Sequence, residues 1–124
     1  MSQQQELKDR LYKFALEIVR LVRGLSREMA AMELGRQLIK AGTSVAANYE
    51  EATSAFSKED FIYKISISFK ESKETHLWLR LLRDSGLAEH SSRIHVLIGE
   101  AGEIANIFGR SLKTSRSNLD KKKN

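Results

Sequence analysis

Cysteine and proline are both absent from this 124-residue sequence, and only seven glycines interrupt it. Without cysteine there are no disulfides, no thiolate metal ligands and no thiol nucleophile, a composition that a reducing compartment tolerates. Without proline, and with so little glycine, long segments run free of the residues that most often break regular structure, which favours helices. Long apolar runs are missing as well, and the opening residues MSQQQELKDR are polar and mixed in charge, unlike a signal peptide. The expectation is one cytoplasmic domain with no membrane contact, because this length serves one core well and two poorly.

The formal net charge of +5 is unevenly placed. Residues 110–124 hold six Lys/Arg against one Asp, while residues 1–109 hold fifteen of each sign and are neutral. The tail cations are Arg110, Lys113, Arg116, Lys121, Lys122 and Lys123. Such a tail either neutralises phosphates or only keeps the chain soluble. Arg20, Arg23 and Arg27, near the end of the first amphipathic segment, are candidates to extend the same basic patch.

Four segments carry helical periodicity. Leu7, Leu11, Phe14, Ile18, Leu21 and Leu25 place one apolar face on a first helix, and Ser26 offers an N-cap for the next. The second runs approximately from Arg27 to Ala55, with Ala31, Leu38, Ala41, Val45, Asn48 and Ala52 on a face made of small residues. Gly35 and Gly42 on this helix would let a neighbouring backbone come close. Ser57, followed by Glu59 and Asp60, starts a third helix that Gly86 ends. Its stretch Ile65 to Phe69 alternates like a strand, but no turn bounds it, so it is read as helical. The fourth begins near Glu89 and keeps Ile94, Leu97, Ala101, Ile104, Phe108 and Leu112 in register, with Arg93, Glu100 and Glu103 facing water. Short connections between helices of this length dictate an all-α, up-down-up-down antiparallel four-helix bundle over residues 1–115, with 116–124 as a disordered basic tail.

Candidate chemistry is sparse. Asn48 and Glu51 on the second helix, and Glu71 and Glu74 on the third, share the same spacing, and the four are expected to face one another. They form either a carboxylate site for a metal or for acid/base work, or a polar network that fixes helix register. The structural reading is preferred, because a di-metal bundle also needs Glu-x-x-His pairs and none occurs. No catalytic residue, cofactor site or metal site is assigned, and no enzyme activity is expected. Trp78, Tyr49, Phe56 and Tyr63 are read either as a stacking platform for bases or, more simply, as core and subunit contacts. Leu16, Val22, Ile62 and Ile67 exceed what one core-facing stripe needs, which points to self-association.

Residues 36–52, RQLIKAGTSVAANYEEA, and 57–87, SKEDFIYKISISFKESKETHLWLRLLRDSGL, resemble the four-helix-bundle family of 23S ribosomal RNA intervening-sequence proteins. The most specific pieces are Ser44 to Asn48 with Glu51, and Glu74-Thr75 leading into Trp78-Leu79 and ending at Gly86-Leu87. The resemblance implies a non-enzymatic, ring-like homo-oligomer, a pentamer, that contacts RNA or DNA. A related branch serves as accessory subunit to reverse transcriptases of diversity-generating retroelements, so a reverse transcriptase is the alternative partner that the resemblance implies. Ala52 departs from the glycine common at that position in the family, and the first and fourth helices match only in apolar pattern.

Overall fold

The computed structural model describes residues 1–123 and, of Lys123, only the backbone. Among these residues the regular elements are four helices, α1 (Gln3–Arg23), α2 (Met29–Ala52), α3 (Lys58–Asp84) and α4 (Ile94–Lys123). Side-chain oxygens of Ser2 and Ser57 accept from the amides of Gln5 and Asp60, at 3.0 and 3.1 Å, and so start α1 and α3. Gly86, at φ 79°, supplies the left-handed residue that stops α3.

Each helix runs antiparallel to the one before it. Ile18 of α1 packs on Gly42 of α2, and Val22 and Leu25 pack on Gly35. Between α3 and α4, Phe69 lies on Gly109 and His76 faces Gly102. The fourth seam is built differently, because the backbones of α1 and α4 approach each other far less closely than those of α2 and α3. Long side chains close it. Arg10 donates from Nε and Nη2 to Glu100 at 2.8 and 2.6 Å, and from Nη2 to Glu103 at 2.7 Å. Arg93 grips Glu17 through two bonds of 2.9 Å. Arg93 and Glu103 are exposed as expected and Glu100 is half-buried, and all three also tie the first helix to the last.

Leu11, Phe14, Ile18, Leu38, Val45, Leu79, Leu82, Leu97, Ile104 and Phe108 fill the core. Tyr49 meets Phe108 edge-on, with ring centroids 5.7 Å apart. The middle of the α3 seam is made of buried Ser68, Ser72 and Thr75. Each hydroxyl donates to a backbone carbonyl: Ser68 to Val45 across the helix pair at 3.1 Å, Ser72 to Phe69 and Thr75 to Glu71 at 2.7 Å. Facing the small stripe of α2, these short side chains bury polar atoms at little cost, since each has its partner.

Several sequence expectations shift. The segment from Arg27 to Glu28 lies outside α2, whose first residue is Met29, and Ser26 is not its N-cap position. Ala55 likewise falls after its end at Ala52. Helix α4 starts at Ile94 rather than near Glu89. At its other end it does not stop after Leu112. Residues 116–123, expected to be disordered, continue the helix to Lys123, while Asn124 lies outside the described residues. Half-buried Leu119, seven residues beyond buried Leu112, carries the seam onward, and lysines in the last turn suit the negative end of the helix dipole.

Candidate nucleic-acid interface

Antiparallel topology sorts the basic residues by end. The C-terminus of α1 and the N-terminus of α4 share one end of the bundle, where the side chains of Arg20, His90 and Arg93 border a common groove. Arg20, Arg23 and Arg27 all lie at this end and are exposed. Arg110, Lys113, Arg116, Lys121 and Lys122 lie towards the other end, also exposed. Some sixteen residues of helix separate Ile94 from Arg110, roughly 24 Å of axial rise. The arginines of α1 and its following turn therefore do not extend the patch on α4, contrary to the sequence expectation.

What joins the α4 cations instead is the start of α3. Lys122 approaches Lys58, and this neighbouring like-charged ammonium pushes the Lys58 ammonium below its usual pKa. Lys113, Arg116 and Lys121 line a groove of about 580 Å³ between α3 and α4, together with Phe69 and Asp120. Just above it, Lys73 places Nζ 4.2 Å from the centre of the Phe69 ring. Among the described residues, none of Lys58, Arg110, Lys113, Arg116, Lys121 and Lys122 has an ion-pair partner. Sequence reasoning missed Lys58, because its link to the tail exists only once α3 and α4 lie side by side.

The four polar residues expected to face one another are divided. Asn48 is half-buried and donates from Nδ2 to the carbonyl of Ser44 at 2.9 Å, so it satisfies itself within its own helix. Its expected place on the buried stripe is taken by Tyr49. Glu51 is exposed and receives Lys64 Nζ at 2.8 Å. Glu71 and Glu74 sit further along α3, beside Lys40 and Lys70; burial, and then the neighbouring Glu74 charge, raise the pKa of Glu71. No group of three or more His, Asp or Glu among the described residues is arranged to hold a metal ion.

The aromatic residues separate too. Tyr49 belongs to the core, Trp78 is half-buried against it, and Tyr63 and Phe56 are exposed at different places. No single platform contains all four. Of the surplus apolar residues, Val22 and Ile62 pack on the core, and Leu16 and Ile67 are half-buried; the large apolar side chains that α3 leaves in solvent are instead Tyr63, Leu77 and Leu81. No helix among the described residues is long and apolar enough to cross a membrane.

Comparison with known proteins agrees with this architecture. A crystal structure at 1.70 Å of a protein of unknown function from the S23 ribosomal protein family of Bacteroides thetaiotaomicron superposes with a TM-score of 0.78, at 32% sequence identity, covering 90% of this chain and 99% of that one. No match is found among curated proteins. The family model for 23S rRNA-intervening sequence proteins matches residues 3–110, so it takes in all of α1, α2 and α3 and stops where the basic stretch of α4 begins. The chain belongs to the family of 23S rRNA-intervening sequence proteins.

Proposed function

We propose that this chain is a cytoplasmic, non-enzymatic nucleic-acid-binding subunit that works as a homo-oligomer, a pentamer by family resemblance. One observation carries the binding reading: six exposed cations, Lys58, Arg110, Lys113, Arg116, Lys121 and Lys122, gather towards one end of the bundle without ion-pair partners among the described residues. Lysines held this close to one another repel, and a phosphate backbone is the polymeric anion that relieves such repulsion along a row. Assembly would multiply the row by the number of copies.

The test is a titration of labelled RNA and DNA duplexes against the full chain at several salt concentrations. Each phosphate contact contributes about 0.9 to the log-log salt slope for duplex DNA. Joint replacement of Arg116, Lys121 and Lys122 by alanine should lower that slope by about 2 to 3. No binding at low salt would sink the reading.

Support for self-association comes from the outer face of α3, where Tyr63, Leu77 and Leu81 are exposed. The same face suits a protein partner, and a reverse transcriptase is the second reading. Leu77→Asp with Leu81→Asp should lower the sedimented mass while leaving the helical signal intact. Loss of a copurifying polymerase with no change in mass would favour the second reading.

A further inference from the structure

Phe56 occupies the turn between α2 and α3 with its side chain wholly in solvent. Folding does not need it there, because the turn is already set by Ser57, which caps α3, and by Thr53, which closes α2. An aromatic ring left in water at a turn is surface without an internal role. It also has company: beside it runs an open groove of about 740 Å³ formed where α1 begins, α2 ends and α3 begins. Gln3 and Gln4, which carry primary amides, Phe56 and Phe61, which carry aromatic rings, and Lys58, which carries a cation, are among the residues that line this groove. Lys58, at the rim of this groove, is also the residue whose ammonium feels the charge of Lys122, so the groove opens beside the basic end of α4.

This combination matches an unpaired nucleotide. A base has two apolar faces that stack on a ring, a polar edge that both donates and accepts, and a phosphate on one side. Glutamine amides offer donor and acceptor together. A duplex would present phosphates to Lys58 and Lys122 but would keep its bases from reaching Phe56. We propose that this groove is a binding site for an unpaired base of single-stranded nucleic acid, with Phe56 stacking on the base, Gln3 and Gln4 contacting its edge, and Lys58 beside Lys122 holding the adjoining phosphate. The inference deepens the nucleic-acid reading above and rests on it.

The test compares an oligouridylate of about twelve nucleotides, within the footprint of single-strand sites, with a duplex of equal length on the full chain. The strand should bind more tightly than the duplex. Phe56→Ala should weaken the strand by about tenfold or more and leave the duplex and the salt slope unchanged, whereas Phe56→Trp should restore the affinity. Lys58→Ala should instead lower the slope for both forms. Because Phe56 is fully exposed, its variants keep the wild-type helical signal. Equal binding of strand and duplex with no effect of Phe56→Ala would overturn this site while leaving the broader reading standing, and absence of binding to either form would remove both. A fall in oligomer mass on Phe56→Ala, with affinity per subunit unchanged, would overturn the site by assigning the ring to assembly. Uridine monophosphate binding as tightly as the strand would overturn the assignment to a polymer.

Discussion

His90 lies across Gly24, its imidazole so near that a methyl group on Gly24 would meet ring atoms at 2.6 and 2.7 Å. The same ring sets Nε2 at 3.1 Å from the carbonyl oxygen of Leu21 in the last turn of α1. The connection before α4 thereby gives one carbonyl of the last turn of α1, which already accepts from the Gly24 amide, a second partner, at the seam where neighbouring helix backbones approach least closely.

Gly24→Ala should displace the ring and lose that contact. A hydrogen bond of this kind is worth about 0.5 to 1.5 kcal/mol, and alanine returns a similar amount in helix propensity, so the single substitution should change stability little. The informative measurement is a double-mutant cycle. In a His90→Ala background the same Gly24→Ala change should be stabilising, and chemical denaturation should give a coupling of about 1 kcal/mol. Additive effects would show that the ring contributes nothing where it lies.

Two other glycines should respond in opposite directions. A Cβ on Gly42 would stand 3.1 Å from Ile18 Cγ2, and Ile18 is fully buried and β-branched, so it has no room to turn away. Gly42→Ala should therefore cost stability, about 1 to 3 kcal/mol from overpacking less the helix-propensity gain. Gly99 on α4 has open space around it. Gly99→Ala should raise stability by about 0.5 to 1 kcal/mol, read as a higher midpoint in thermal unfolding.

How far the sequence discloses the molecule follows the same division between face and neighbour. The seams of α1 and α4 are legible because Leu11, Phe14, Ile18 and Leu21, and Ile94, Leu97, Ala101, Ile104 and Phe108, are apolar at helical spacing. The seam of α3 is legible only at its ends, since Ser68, Ser72 and Thr75 keep the spacing of Ile65, Leu79 and Leu82 but look like surface residues. Reading small hydroxyls opposite a small-residue helix as core would have found them. Asn48 fails for the converse reason: its spacing fits the stripe, yet a one-residue rotation gives the place to Tyr49, whose ring fills space beside Phe108. The basic end was half visible, because charge density along α4 is written in the sequence while Lys58 joins it only through packing.

Ser68 offers a direct check on that polar seam. Its hydroxyl is the only one of the three that donates to a different helix, so Ser68→Ala removes a bond between α2 and α3, whereas Ser72→Ala removes one within α3. Ser68→Ala should cost about 1 kcal/mol. Ser68→Val should cost more by adding bulk where the seam is narrow, and equal midpoints for the two would argue against close packing there.

Glu71 and Glu100 should give opposite pH signatures. Arg10 holds the Glu100 carboxyl below its ordinary value, first through their hydrogen bonds, so ionised Glu100 favours the folded chain. That contribution is fully present above the ordinary glutamate pKa of 4.5 and is lost as pH falls through the lower folded value. Glu100→Gln should thus reduce stability at neutral pH, by about 1 kcal/mol or less for a partly exposed pair, and the difference should vanish in acid. Glu71 behaves in the other sense, because burial, and after it Glu74, raise its folded pKa, with Lys40 and Lys70 opposing. Its contribution is fully present below 4.5 and is lost as pH rises through the raised value. Glu71→Gln should therefore raise the unfolding midpoint at neutral pH, and that advantage should fade as the pH falls through the raised value and be gone below 4.5. Thermal unfolding of both variants across that range is the measurement, and a Glu71→Gln midpoint below wild type at neutral pH would show that the carboxylate is used in the folded chain rather than tolerated.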